Sequence, residues 1–100
     1  MSLSFTQNVE PLGQAGAARQ LAAGSTTANT ALSAGVFRVS MRATGADIRF
    51  AIGSGSQTAT TSSHFIANGE RLDFAVPPGA NIAVLRAGAT NGTLELTELV

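Results

Sequence analysis

Residues 62–73, SSHFIANGERLD, hold the chain's one histidine, His64, beside Ser62 and Ser63 and upstream of Asp73. Nucleophilic catalysis needs a hydroxyl activated by a base, with a carboxylate orienting that base. All three residue types are present here. Their spacing argues against their use. On a strand Ser63 points away from His64, and Ser62 lies about 7 Å along the same face. No G-x-S-x-G elbow leads into a helix. The reading is a solvated His64–Asp73 pair and no enzyme.

Other chemistries fail on residue type. One histidine and no cysteine exclude an ordinary zinc site and any disulfide. Asp47, Glu70, Asp73, Glu95 and Glu98 fall singly, without the D-x-D clustering that calcium needs. As strand-surface acids they suit pairing with arginines better than the paired-carboxylate work of glycoside hydrolysis. Gly53-Ser54-Gly55-Ser56 has the composition of a phosphate cradle, but no helix follows to supply the N-terminal dipole. It reads as a flexible connector. No catalytic residue, metal or cofactor is expected.

The elements that would position these residues are strands. Leu3, Phe5, Gln7 and Val9 alternate with polar residues, which predicts an extended arm or first strand. Residues 13–35 are small and glycine-broken, with strands expected at Ala18–Ala22 and Thr30–Ser33 around a turn at Gly24–Thr27. Val36–Ala43 places Phe37, Val39 and Met41 on one face and Arg38, Ser40 and Arg42 on the other. Asp47–Gly53 turns Ile48, Phe50 and Ile52 inward. Residues 53–63 predict a polar loop with room for a short threonine-rich edge strand.

Asn68-Gly69 between two alternating runs predicts a two-residue type I′ hairpin. That register sets His64 opposite Asp73 and gives Phe65, Leu72 and Phe74 one buried side. Pro77-Pro78-Gly79 ends the second of these strands, because neither proline can donate to a ladder. Asn81–Ala87 is apolar on both faces and predicts a central strand. Asn91-Gly92 predicts a second hairpin into Thr93–Leu99, with Arg86 opposite Thr97. The sum is an all-β, single-domain antiparallel β-sandwich or small jelly roll of about eight short strands. Its segments are residues 1–35, arm and small-residue strands, and residues 36–100, the sandwich body.

Composition narrows the partners. Six basic residues, all arginine, balance six acids, so the chain lacks the surplus positive charge that displaces counterions from nucleic acid. Its apolar runs are far too short to cross a bilayer as helices, and MSLSFTQNVE carries no secretory signal pattern. Neither nucleic acid nor membrane is an expected partner. A neutral surface of small residues suits an assembly component. Arg38, Arg42 and Arg49 fall on outward faces of consecutive strands and predict a basic stripe, suited to pairing with acids or to docking on an acidic protein surface. Leu99 and Val100 either finish a strand against the core or insert between subunits. With Leu3 and Phe5, these residues are the candidate partner-binding set.

FRVSMRATGADIRFAIG (37–53), SHFIANGERLDFAVPPGANIAVLRAG (63–88) and NGTLELTEL (91–99) resemble small virion proteins of tailed bacteriophages. The resemblance covers the last two-thirds of the chain and includes no catalytic signature. It implies a β-fold that decorates or cements a capsid, often as trimers, or that serves in a tail or connector. The implied partners are other copies of the chain and the major capsid or another virion protein, and the implied location is the virion, after synthesis in the host cytoplasm. No site residue carries over. The competing expectation is a lectin-like carbohydrate- or receptor-binding module. Five phenylalanines without tryptophan or tyrosine count against it, since sugar platforms favour aromatics with a polar edge.

Overall fold

The computed structural model describes residues 14–100. Its strands are β1 (Ala15–Ala23), β2 (Ala28–Ala31), β3 (Arg38–Thr44), β4 (Ile48–Ser54), β5 (His64–Ile66), β6 (Arg71–Ala75), β7 (Ala80–Arg86) and β8 (Gly92–Leu99). Two four-stranded sheets form, a front sheet in the order β1-β8-β3-β6 and a back sheet in the order β2-β7-β4-β5. All ladders between these strands are antiparallel.

The pairing is nested: β4 with β5, β3 with β6, β2 with β7 and β1 with β8. The chain is therefore one antiparallel ribbon bent at residues 55–63 and rolled so that its successive strand pairs alternate between the sheets. The β3·β8 and β4·β7 ladders close each sheet. This is a jelly roll, as the strand rhythm predicts.

Period-two alternation fills the space between the sheets. Val39, Met41 and Ala43 of β3, Ile48 and Phe50 of β4, Ile82 and Val84 of β7, and Leu94 and Leu96 of β8 are all buried. Each large apolar side chain so placed contributes about 1.5–3 kcal/mol. β7 sits centrally, as its two apolar faces predict. Ala83, on its outer face between Asn29 and Ala51, is fully buried as well.

Both expected hairpins are corrected. β5 and β6 lie in different sheets, and so do β7 and β8. Residues 67–70 do form a turn, closed by Glu70 N–H donating to Ala67 O at 2.8 Å. Only Gly69 has positive φ there (+86°), so Asn68 does not adopt the type I′ shape and the turn is of type II character. Glu70 Oε1 accepts from Ala67 N and Asp47 Oδ1 from Asn68 N, holding the turn as it crosses between sheets. Gly92 serves a different need. A Cβ there would meet Thr44 O at 3.1 Å and Ala46 N at 3.2 Å, so the glycine permits close backbone approach.

The expected threonine-rich edge strand does not form, and residues 55–63 are more than a loose connector. Gln57 N donates to Asn29 Oδ1 and Ala59 N to Thr27 Oγ1, both at 2.8 Å. Arg49 Nη1 donates to Ser63 O. Because β2 is the far edge of the back sheet, these bonds draw the segment across the sheet's outer face as a strap.

Candidate docking surface

Directly opposed residues of a ladder share a face, so the register places each candidate residue. On the outer face of the front sheet one row reads Ala15, Leu99, Arg38, Ala75. The next rows carry Thr97, Ser40 and Asp73, then Glu95, Arg42 and Arg71. Arg71 Nη1 donates to Ser40 Oγ at 2.8 Å. Arg38, Leu99, Asp73 and Ala75 wall a groove of about 170 Å³ with Val39 and Phe74. Val100 continues β8, exchanging two 2.8 Å backbone bonds with Gln14 while its side chain stays 68% exposed. Val100 thus extends β8, and Leu99 lies on the outer face of the sheet instead of against the core.

The structure brings Arg38, Arg42, Leu99 and Val100 to one sheet and separates Arg49. The β3–β4 connection crosses between sheets, so strands adjacent in sequence are not adjacent in a sheet and the basic stripe does not form. Arg49 lies on the back sheet, opposite Leu85 and Phe65, with its guanidinium 4.8 Å from the Phe65 ring centroid. Leu3 and Phe5 lie outside the described residues.

Three phenylalanines at different places on the sandwich are also exposed and were not visible in the sequence. Phe37 is 58% exposed, Phe65 44% and Phe74 39%. Phe37 was expected in the core with Val39, but the β3 ladder begins only at Arg38. Phe65 and Phe74 were expected inward through the hairpin register that does not form. In the observed β4·β5 register His64 and Ile66 share the inward face with Phe50 and Ile48, and Phe65 faces out. Phe74 keeps its inward parity, but β6 is an edge strand and leaves it half-open. No local pattern marks a strand as an edge.

The residues that suggested nucleophilic chemistry are dispersed. His64 opposes Phe50, its ring 5.4 Å away, instead of Asp73. Asp73 opposes Ser40 in the other sheet. Ser63 Oγ accepts from Thr60 N, and Ser62 N donates to Thr60 Oγ1. Among the described residues no group of histidine and acid side chains could hold a metal, and no helix is long and apolar enough to cross a membrane. An open cleft of about 300 Å³ between residues 45–47, Asn68 and residues 88–90 contains one carboxylate, Asp47, already accepting from Asn68 N.

One buried charge went unpredicted. Glu98 is 1% exposed, sharing the inward face of β8 with Leu94 and Leu96. Its Oε2 accepts from Arg19 Nε and from Ser33 N, each at 2.9 Å. Burial pushes the carboxyl pKa up, but the Ser33 bonds and the Arg19 guanidinium outweigh it and hold the pKa below the ordinary value. The signal was the parity of LELTEL, which puts this acid on the leucine face.

Comparison with protein-family models, with curated proteins and with solved structures finds no match. The fold itself defines the class, an all-β jelly-roll sandwich.

Proposed function

We propose that this chain is a non-enzymatic structural protein of a tailed-bacteriophage particle. It self-associates, with a trimer favoured, and decorates or cements the capsid. The observation that carries this reading is exposed Phe37, Phe74 and Val100 and half-buried Leu99 on the sheet that carries Arg38 and Arg42. Aromatic and arginine enrichment is the composition of a protein interface, and contiguous exposed apolar surface marks association sites. The resemblance of residues 36–98 to phage virion proteins supports the same reading, as does a net charge of zero, which gives neighbouring copies little reason to repel. Binding energy comes from burying these side chains at roughly 25 cal/mol per Å².

Light scattering of the purified chain, alone and mixed with candidate capsid shells, tests it. A discrete oligomer that co-sediments with shells is expected. Removal of residues 1–12 should weaken assembly more than it lowers folding stability. A chain that stays monomeric at all concentrations and ignores every shell, or that binds on a glycan array instead, would overturn the reading.

A further inference from the structure

We infer that the open edge of β6 accepts residues Leu3–Val9 of a second copy as an added strand of the front sheet. The inference rests on the self-associating reading above and names the surface that reading uses. A sandwich offers four edges, and here three are blunted. β1 has a register break between Ala15 and Ala18, and along its unbroken part, Ala18–Ala23, the inward Leu21 and Ala23 are already buried, leaving an added strand no apolar side chain to cover. β2 has four residues and is tied to the strap through Asn29. β5 has three residues. β6 runs five residues in unbroken register with β3, without proline or bulge.

The chemistry of that edge fits the segment. Phe74 on the inward side of β6 is 39% exposed, and beneath it lies the Phe50 ring, 5.7 Å away, with the tilted His64 ring beyond. An added strand places alternate side chains on opposite faces. With the odd-numbered residues inward, Leu3, Phe5 and Val9 cover Phe74 and the margin of that aromatic cluster, and Gln7 falls on the same face among them. Ser4, Thr6 and Asn8 then fall beside Arg71 and Asp73 on the outer face, where uncharged hydrogen-bonding groups suit both signs.

Reach decides between a chain's own segment and a neighbour's. Gln14 is bonded at β1, the opposite edge of the sheet. A strand beside β6 lies four inter-strand spacings away, about 19 Å at about 4.8 Å each. The five links from Val9 to Gln14 span at most about 18 Å when fully extended. They must also pass around the end of the sandwich. The donor is therefore a second copy.

Three full-length proteins test this: wild type, Phe5→Ser and Phe74→Ser. The wild type should form a closed oligomer by light scattering, and each variant should raise the dissociation constant about tenfold or more. Phe5→Ser should leave the melting temperature of the body little changed, whereas Phe74→Ser, which loses packing on Phe50, should lower it. An equimolar mixture of the two variants should recover one-to-one association, because Phe74→Ser supplies an intact arm and Phe5→Ser an intact edge. As a check that needs no change in the body, a peptide of residues 2–10 added to Phe5→Ser should slow amide exchange at Arg71–Ala75. If the variants assemble as tightly as wild type, or the peptide protects another segment, the docking inference fails and the oligomer reading stands. If Phe5→Ser melts earlier as a monomer without changing mass, the segment packs on its own body and the inference fails. A wild type monomeric at every concentration removes both.

Discussion

Arg19→Ala should cost about 3 kcal/mol, and Glu98→Leu less than about 1 kcal/mol. The asymmetry follows from where the two charges sit. Glu98 is 1% exposed and Arg19 29%, with 2.9 Å between Nε and Oε2. Removing the guanidinium leaves a carboxylate shut away from water with only the Ser33 backbone N–H and hydroxyl as donors. Breaking a buried pair in this way costs about 3–5 kcal/mol, and the partial exposure of Arg19 selects the lower figure. Glu98→Leu extends the Leu94–Leu96 face and removes the desolvation of the acid. It also frees Arg19 to turn into solvent, while water can replace the carboxylate at exposed Ser33. Urea midpoints at pH 7 measure both costs. The pH dependence gives an independent check. The folded pKa of Glu98 lies below its ordinary value of 4.5. Its stabilisation is therefore complete above that value and disappears as pH falls through the lower folded pKa. Wild type should lose more stability than Glu98→Leu between neutral pH and pH values of about 3. Equal acid slopes in the two proteins, or an Arg19→Ala cost below about 0.5 kcal/mol, would refute the reasoning.

Gly92→Ala should destabilise by about 1–3 kcal/mol in thermal melts, because its Cβ would press on the backbone of Thr44 and Ala46 at 3.1–3.2 Å. At the 67–70 turn, Gly69→Ala should cost about 1–2 kcal/mol and Asn68→Ala under about 0.5 kcal/mol, since only Gly69 has positive φ; equal costs would favour the type I′ hairpin. Asn29→Ala removes the bonds to Gln57 N and Asn81 Oδ1. It should speed amide exchange and proteolysis in residues 55–63 while moving the global midpoint by no more than about 1 kcal/mol.

The parts of the sandwich legible beforehand are those governed by neighbours in sequence. Alternation in RVSMRA and DIRFAI located β3 and β4 and assigned their faces correctly from Val39 onward. The two apolar faces of Asn81–Ala87 marked a central strand. Arg38 and Arg42 were each placed on an outward face, and the β3·β8 ladder then set Arg38 directly opposite Leu99. What misled was partner choice. Asn68-Gly69 does turn the chain, but a turn dipeptide carries no information about whether the next strand pairs with the last or passes to the facing sheet.

Side-chain parity repeats every two residues along a single strand, so it can be read from a short window of residue types. Sheet membership depends on ladders between strands far apart in the chain, such as β1 with β8, and on rolling the whole ribbon. That long-range closure separated Arg49 from Arg38, parted His64 from Asp73 and left Phe74 on an open edge. It also carried Arg19 and Ser33 to Glu98, 79 and 65 residues away in sequence. No local rule specifies such meetings, because the free energy that selects them comes from packing two complete sheets together.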